Sequence, residues 1–267
     1  MLMKHIVITG STRGIGFGLA DAFLEQGCSV AVSGRAQASV DDAVNKLVSK
    51  HAGRSLFGIA CDVRDPEQVR SLWNACRERF GQVDVWINNA GFSAPQMPVW
   101  KLQPAQAQDV VQTNLLGVIY GSMVAIQGML EQGFGSLYNM EGMGSDGRKH
   151  HGLTLYGTTK YGLHYFTGCL ARETQGTPLV VGSLRPGMVI TGLIVKQYEG
   201  RPAEFERVRR IFNIIADRVE TVAPWLAGQI LANQKSGVCI RYLSQGKLIG
   251  RFLASPFRKR DLFADLQ

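Results

Sequence analysis

Three glycines that directly follow an apolar strand leave this chain few ways to fold. The run Ile6-Val7-Ile8 leads into Thr9-Gly10-Ser11-Thr12-Arg13-Gly14-Ile15-Gly16. Glycine accepts positive φ and lets another group approach the backbone, and the unpaired N–H groups at a helix N-terminus attract phosphate. We therefore predict a strand-to-helix turn that binds a dinucleotide through residues Gly10, Ser11, Thr12, Arg13, Gly14, Ile15 and Gly16. An ordinary tight turn is the alternative.

Short apolar runs alternate with helix-like segments along most of the 267 residues. We predict strands near 5–9, 29–33, 55–60, 83–88, 135–140, 179–184 and 238–243, and helices near 14–26, 37–51, 66–80, 104–131 and 157–175. Strands rich in valine and isoleucine with few polar faces are typical of sheets covered on both sides. The alternation predicts one α/β domain, a doubly wound Rossmann fold whose parallel, seven-stranded sheet has helices on both faces.

Residues 188–235 interrupt this alternation after a strand, and we predict helices near 203–216 and 221–234 there. Ligands of open α/β sheets bind beyond the carboxyl ends of the strands, so this segment is predicted to be a substrate lid. Its apolar residues suit a greasy ligand and ordinary helix packing equally well. They are Met188, Val189, Ile190, Leu193, Ile194, Phe205, Ile211 and Phe212.

The net charge of +8 raises the question of an anionic partner. The cations are scattered, apart from Arg207, Arg209, Arg210 and the run 258–260, which favours a solvated basic surface over nucleic-acid binding. Anionic cofactors, substrates or a membrane surface are the alternatives. The five cysteines show no paired spacing, so we predict no metal site, a reduced environment and a cytoplasmic location.

Two segments bear on membranes and on assembly. The apolar stretch 115–130 contains Ser122, Gln127 and small residues, which predicts a packed helix rather than a membrane span. The tail 250–267 interleaves apolar residues with Arg258-Lys259-Arg260, and packing on a neighbouring subunit is favoured there over peripheral membrane contact. The apolar residues of the tail are Phe252, Leu253, Phe257, Leu262 and Phe263.

The end of the second strand bears on which dinucleotide binds. It reads Val32-Ser33-Gly34-Arg35, with no carboxylate to accept hydrogen bonds from the adenine ribose of NAD. Arg35 and Arg13 instead favour a 2′-phosphate through charge-assisted hydrogen bonds, which predicts NADPH over NADH. The alternative is that one or both arginines face water.

The third and fourth strands end in residues that suit the same ligand. Asp62, followed by Val63, is predicted either to hold the adenine amino group or to cap the helix that starts at Pro66. The sequence Asn88-Asn89-Ala90-Gly91 closes the fourth strand. Its amides are predicted to bind the cofactor ribose and to brace the sheet.

Tyr156 and Lys160 form the candidate proton-transfer pair. Four residues apart on a helix, they lie on one face. An unperturbed tyrosine, with a pKa of about 10, is too weak an acid at neutral pH, and a neighbouring cation lowers that pKa by stabilising the phenolate. Together with the glycine turn, the pair predicts one active site in which the glycines hold a nicotinamide cofactor and the tyrosine transfers a proton beside it.

These residues resemble the classical short-chain dehydrogenase/reductase family, from about residue 4 to 190. The resemblance rests on Thr-Gly-x-x-x-Gly-x-Gly, Asn-Asn-Ala-Gly, Asn114 in the long helix, Tyr-x-x-x-Lys, and Arg185-Pro186-Gly187 with Thr191 beyond it. It implies that Tyr156 is the acid/base, that Lys160 also binds the nicotinamide ribose, and that Asn114 holds a relay water. It further implies cofactor contacts at Asn89, Ala90, Gly91, Pro186, Gly187 and Thr191, and a homodimer or homotetramer with the long helix at the interface.

The family's usual carbonyl-orienting serine is missing after the fifth strand. This chain reads Asn139-Met140-Glu141-Gly142-Met143-Gly144-Ser145 there. Ser145 is the nearest hydroxyl, and a flexible glycine-rich loop could bring it into place, so Ser145 is predicted as the fourth catalytic residue. Glu141 is predicted to be structural, or at most to hold the loop.

That departure is similar to the chlorophyll b reductase group of the family. The likeness lies in Asn-Met-acid-Gly-x-Gly-Ser, Tyr-Gly-x-Thr-Lys, Pro-Gly-Met-Val and two segments beyond, 212–215 and 220–223. It implies NADPH-dependent reduction of a formyl group on a chlorophyll-like tetrapyrrole, which is a lipophilic small-molecule substrate with a carbonyl group. The alternatives are a reductase of another lipophilic or acyl ketone, of 3-oxoacyl or sterol type, and a non-catalytic NADPH sensor.

Overall fold

A computed structural model describes residues 3–192, 202–257 and 260–263. The predicted lid residues Leu193 and Ile194, and the cations Arg201, Arg258 and Lys259, lie outside these ranges. The strands are β1 (His5–Ile8), β2 (Ser29–Gly34), β3 (Leu56–Ala60), β4 (Val85–Asn88), β5 (Gly135–Met140), β6 (Leu179–Arg185), β7 (Val189–Ile190), β8 (Asp217–Arg218) and β9 (Cys239–Arg241).

The helices lie between these strands and after the last of them. They are α1 (Gly14–Glu25), α2 (Gln37–Lys50), α3 (Pro66–Phe80), α4 (Pro104–Val111), α5 (Gly117–Gln132), α6 (Thr154–Glu173), α7 (Pro202–Ile215), α8 (Val219–Ala232) and α9 (Gln245–Ala254). A π-helical turn, Gln112–Leu116, joins α4 to α5, and a short 3₁₀ helix, Val99–Lys101, precedes α4.

Seven strands form one parallel sheet in the order β3-β2-β1-β4-β5-β6-β9. Every neighbouring pair is parallel, with Ile8 opposite Val32 and Ile87, for example. This confirms the predicted fold class. The strands β7 and β8 form a separate two-stranded pair, in which β7 lies at the start of the interrupting segment and β8 lies between its two helices.

The core lies on both faces of the large sheet. On one face, Leu19 and Phe23 of α1 pack with Leu226 of α8 against the strands. On the other face, Trp73 of α3 packs with Met129 of α5. Both faces of the central strands are buried, because parallel crossovers place a helix over each face.

The two helices of the interrupting segment differ in what they do. In α8, residues Val222, Ala223, Leu226, Ala227 and Ile230 belong to the core that α1 lines. The two helices α1 and α8 are so close that a Cβ atom at Gly18 would lie 2.2 Å from Val219. Because α8 covers the sheet, it is not part of a lid. The predicted lid is then limited to the segment from Met188 to the end of α7.

The described part of the C-terminal tail folds back onto α7 of the same chain. Phe263 is 3% exposed and packs with Phe205 and Phe212. Arg260 and Arg251 both bond to the buried carboxylate of Asp217, at 2.8 and 2.5 Å. The tail was predicted to pack on a neighbouring subunit. Residues 260–263 instead pack against the same chain, whereas Phe252, Leu253 and Phe257 are exposed.

The continuous helical stretch Pro104–Gln132 is long and apolar enough to cross a membrane, with a mean hydropathy of 1.3. It packs within the fold, however. Val118, Ala125 and Met129 are buried, and Trp73 of α3 lies against the backbone of Gly128. Its position against the sheet is that of a core helix of an α/β protein.

We expect Gly128→Ala to destabilise the protein by about 1–3 kcal/mol, because a Cβ atom there would lie 2.1 Å from the ring of Trp73. Gly168→Ala is the matched control, since this α6 glycine is exposed and has nothing within 4 Å of an added Cβ. It should stabilise the helix by up to about 1 kcal/mol. Urea unfolding of both variants tests the packing, and equal midpoints would contradict it.

Candidate active site

The glycine turn between β1 and α1 has the backbone that its sequence predicts. Gly10 and Gly14 take φ values of 62° and 59°. A Cβ atom at Gly10 would lie 2.7 Å from the backbone of Ala90, and one at Gly16 would lie 2.4 Å from Asn89. Glycine is therefore required in this turn for two reasons, conformation and space.

Thr9 and Asn89 lock this turn to the end of β4. The Thr9 hydroxyl accepts hydrogen bonds from the N–H groups of Asn89 and Ala90, at 3.0 and 3.1 Å. The Asn89 amide donates to the carbonyls of Thr9 and Gly10, both at 2.9 Å. Thr9 begins the Thr-Gly-x-x-x-Gly-x-Gly motif but was not predicted as a site residue, because its partners just after β4 are about 80 residues away in the chain.

The N-terminus of α1 can accept an anion. No side chain caps it, and its first turn carries no acidic residue. Arg13 at the N-cap and Arg35 just beyond β2 are both exposed. Thr191 lies beside the turn, since a Cβ atom at Gly14 would be 3.6 Å from its methyl group. The fold thus brings Thr191 to the glycine turn from a position far along the chain.

Asp62 has a partner that the sequence analysis did not foresee. Arg64 donates to both of its carboxylate oxygens and also bonds to Asp109. These hydrogen bonds from Arg64 hold the pKa of Asp62 below its ordinary value, and the charge of Arg35 acts in the same direction.

The alternative that Asp62 caps α3 is wrong. The N-cap of that helix is Asp65, whose side chain accepts the N–H groups of Glu67 and Gln68. The Asp62 carboxylate bonds instead to the side chain and N–H of Arg64.

Asn88 braces the sheet from within. It accepts from the Trp86 indole at 2.8 Å, and its amide donates to Asn139 on β5 and to Ser122 on α5, at 2.9 and 3.1 Å. All of these groups are buried. Asn88 therefore fixes the spacing of β4, β5 and α5 below the site, as the bracing hypothesis proposed.

Asn114 lies in the π-helical turn and is fully buried. Its amide pairs with the backbone of Phe92, accepting at 2.7 Å and donating at 2.8 Å, and it also donates to Thr159. Gly91 is adjacent, since its Cβ would lie 3.7 Å from Asn114 and 3.9 Å from Lys160. The side chain thus links the loop after β4 to α6. Because its amide is already paired with Phe92, a relay water at Asn114 would have to bond to another group of this residue.

Tyr156 and Lys160 share one face of α6. The Lys160 ammonium lies 5.7 Å from the Tyr156 ring centre and donates to the carbonyl of Met140 at 2.9 Å. Burial lowers the pKa of Lys160 to about 8, although the charge of Glu141 opposes this. Burial raises the pKa of Tyr156 to about 12. The expected lowering of the tyrosine pKa is thus absent in the protein alone, because desolvation outweighs the nearby cation.

Gly142 occupies the position nearest the tyrosine hydroxyl. A Cβ atom there would lie 2.5 Å from the Tyr156 oxygen and 3.3 Å from Lys160. Ser145, the predicted fourth catalytic residue, is 1% exposed and lies in a turn closed by its N–H to the carbonyl of Gly142. Ser145 thus lies in the turn that begins at Gly142, and it is Gly142 at which an added Cβ would meet the Tyr156 hydroxyl.

Glu141 is buried behind this pair. Its carboxylate accepts from the Arg185 guanidinium, at 2.8 Å from Nε, and bonds to His164 Nδ1 at 2.8 Å. Burial raises the pKa of Glu141, but the hydrogen bonds from His164 and Arg185 outweigh this effect and leave it lowered. Arg185 and His164 were not foreseen as its partners, because β6 and α6 meet here only in the fold.

An apolar cleft opens beside Tyr156. It is lined by the tyrosine together with Ala94, Pro95, Met97, Val99, Leu102, Leu153 and Leu155. Two of the apolar residues predicted for the lid do not line this cleft. Ile190 and Phe212 are instead buried in a cluster with Phe263. A greasy ligand would therefore meet mainly the loops after β4 and before α6.

These features define an oxidoreductase fold and site. The family model described as short chain dehydrogenase matches residues 4–202, and the chain belongs to that family. The family resemblance seen in the sequence is thereby confirmed.

Several curated proteins are similar to this chain over most of its length. A probable chlorophyll(ide) b reductase of Arabidopsis thaliana, named as chloroplastic, is 34% identical over 98% of this chain. This chain spans only 55% of that relative's length. A chloroplastic chlorophyll(ide) b reductase of rice is 34% identical over 94% of this chain and 74% of its own. A 3alpha-hydroxysteroid dehydrogenase of Mediterraneibacter gnavus is 30% identical over 87% of this chain and 96% of its own.

A solved structure supports the same class. A tryptophan variant of actinorhodin polyketide ketoreductase with NADPH matches with a TM-score of 0.79 and 28% identity. The match covers 90% of this chain and 96% of that one. Such neighbours bind nicotinamide dinucleotides in this fold.

We expect Gly142→Ala to lower kcat roughly 10- to 100-fold, because the added methyl group would displace the Tyr156 hydroxyl. Gly157→Ala is the matched control: it adjoins the tyrosine, but its Cβ would have no neighbour closer than 4.0 Å. Steady-state kinetics and unfolding midpoints should be measured together. An equal loss of activity in both variants would show that contact with Gly142 is unimportant.

Proposed function

We propose that this protein is an NADPH-dependent reductase that converts the carbonyl group of a lipophilic substrate to an alcohol. The observation that carries the proposal is the position of Tyr156. It lies at the wall of an apolar cleft and shares a helix face with a buried lysine. A proton donor that lies beside an apolar cleft and near a dinucleotide-binding glycine turn suits carbonyl reduction.

The residues of the turn fit the cofactor. Positive φ at two glycines, an uncapped helix N-terminus and two exposed arginines, Arg13 and Arg35, suit a pyrophosphate and a 2′-phosphate. When bound, the nicotinamide supplies the hydride. The rest of the site would be lined by Asn89, Ala90, Gly91, Pro186, Gly187 and Thr191.

Tyr156 would give its proton to the carbonyl oxygen as that oxygen gains negative charge. A phenol with a pKa raised by burial is a neutral acid across the physiological range. Lys160 would stabilise the resulting phenolate, and it carries its charge below a pH of about 8. Ser145 would orient the carbonyl, and Asn114 would support the relay of a replacement proton through a group other than its side-chain amide, which is paired with Phe92.

The substrate class we propose is a formyl group on a chlorophyll-like tetrapyrrole. The support comes from the chlorophyll(ide) b reductases among the relatives and from the apolar lining of the cleft beside Tyr156.

A second candidate is reduction or oxidation of a steroid. The bacterial hydroxysteroid dehydrogenase favours it, because its similarity covers nearly its whole length. A 3-oxoacyl substrate and a non-catalytic NADPH sensor are further alternatives. The sensor is supported by Gly142, which stands where a hydroxyl would otherwise meet Tyr156.

We propose a homodimer or homotetramer. Met123 and Leu130 on α5, with Tyr161 and Tyr165 on α6, are large apolar or aromatic side chains that are about half exposed or more. Exposed apolar surface on two helices is typical of a subunit contact. The cytoplasmic location stays a prediction, and the chloroplast relatives offer a different precedent.

We expect Arg35→Ala and Arg13→Ala each to raise the KM for NADPH roughly tenfold while leaving that for NADH nearly unchanged, because only NADPH carries the 2′-phosphate. Arg172→Ala, at an exposed position near the end of α6, is the control. Cofactor titrations at one ionic strength would measure this. Equal losses with both cofactors would contradict the proposed selectivity.

The function is tested by NADPH consumption with chlorophyllide b, a simple aldehyde, a 3-oxoacyl thioester and a ketosteroid. We expect turnover of the tetrapyrrole, and its loss in Tyr156→Phe with NADPH binding preserved, because only the acid is removed. Turnover of the other carbonyls alone would retain the reductase and reject the tetrapyrrole. No turnover at all, with NADPH still bound, would favour the sensor.

A further inference from the structure

Glu141 joins three elements behind the proposed catalytic pair. It follows the last residue of β5, and its side chain is 0% exposed. Arg185, the last residue of β6, and His164 on α6 both bond to its carboxylate. A fully buried carboxylate with two cationic or hydrogen-bonding partners fixes the relative position of the elements that carry them.

The neighbours of Glu141 in the chain both contact the catalytic pair. Met140, directly before it, accepts the hydrogen bond from the Lys160 ammonium. Gly142, directly after it, lies against the Tyr156 hydroxyl and against Cε of Lys160. Any shift of Glu141 would therefore move both contacts.

The same face of α6 carries Tyr156, Lys160 and His164, each four residues after the last. His164 has a side chain that is 51% exposed, so it links the buried carboxylate to solvent. A small cavity between α6, β6 and β9 is lined by His164, Ser183 and Cys239, among others. The partly exposed His164 thus lies both against the buried Glu141 carboxylate and at the wall of this cavity.

We propose that Glu141 is a positioning residue that keeps Lys160 charged and holds it, with the Tyr156 hydroxyl, in working geometry. Arg185 and His164 keep the carboxylate in place. The inference rests on the proposed function in one respect, since it gives Lys160 the task of assisting Tyr156. The sequence after β5 then places a carboxylate behind the lysine and a glycine against the Tyr156 hydroxyl.

The charges around Lys160 support this assignment. Burial works against its ammonium form, and the negative charge of Glu141 works in favour of it. Among the described residues, the other groups facing Glu141 are Arg185 and Ser183 on β6 and His164 on α6, while Asp146 in the following loop faces Arg185. Since Glu141 is an anion near the lysine, its removal must lower the pKa of Lys160, and removal of the Arg185 cation must raise it.

The test is a ¹³C NMR titration of the Lys160 side chain in protein grown with lysine labelled at Cε, with the signal assigned by its loss in Lys160→Arg. We expect Glu141→Gln to move the midpoint roughly one pH unit lower and Arg185→Gln to move it higher. Glu141→Asp, which keeps the charge, should restore most of the wild-type value. Asp217→Asn is the matched control, because Asp217 is also buried and is paired with two arginines, one on α9 and one in the tail.

A structural ion pair and a tuned lysine give different results. If Glu141 only stabilises the fold, Glu141→Gln and Asp217→Asn will both lower the unfolding midpoint and neither will move the lysine titration, which overturns the proposal. If Glu141→Gln does not fold, the Arg185→Gln variant provides the test. A higher midpoint of the Lys160 titration in that variant supports the proposal, and an unchanged midpoint overturns it.

Kinetics separate this inference from the proposed function. For any carbonyl that the wild-type protein reduces, the alkaline limb of kcat against pH should move to lower pH in Glu141→Gln, because the charged lysine is lost earlier. A wild type that reduces none of the carbonyls would defeat the proposed function, while the NMR midpoints would still decide whether Glu141 holds Lys160 charged.

Discussion

The parallel register of β1, β4, β5 and β6 is the constraint from which the site follows. Because these strands run in one direction, their carboxyl ends meet at one edge of the sheet. That edge collects the glycine turn after β1, Asn89 to Gly91 after β4, Glu141 and Gly142 after β5, and Arg185 at the end of β6. The helix α6 then lays Tyr156 and Lys160 across it. A shift of any one of these strands by one residue would turn the side chains of that strand to the other face.

Close backbone approach and buried polar bonds hold this edge together. Gly10, Gly16 and Gly142 each lie where a methyl group would overlap a neighbour, so the elements are closer than side chains would allow. Thr9, Asn88 and Asn139 satisfy the polar groups that this closeness buries. Buried polar networks are stabilising only when every member is paired. The polar groups at this edge are therefore paired within the protein itself, which suits a site whose chemistry depends on position.

The sequence predicted most of the fold and the main functional positions. Hydrophobic alternation located all seven strands of the large sheet within a few residues, because a two-sided parallel sheet leaves an unbroken apolar signature. It assigned α8 to the lid, since a helix that packs on α1 has the same periodicity as one that covers a ligand. It missed the role of Asp65 as a cap, and it could not pair Glu141 with Arg185 and His164, which lie on elements far apart in the chain. Long-range pairs leave no local pattern in a single sequence.

The sequence by itself determined the glycine turn, the Tyr156–Lys160 spacing, the class of sheet and the family. These depend on local backbone chemistry and on helical periodicity, which residues a few positions apart decide. The tertiary structure alone decided what surrounds the pair. It determined that burial raises the pKa of Tyr156 and lowers that of Lys160, that Gly142 rather than a hydroxyl meets the tyrosine, and that a buried carboxylate lies behind the lysine. Desolvation and charge proximity depend on distances through space, and only the folded chain fixes those distances.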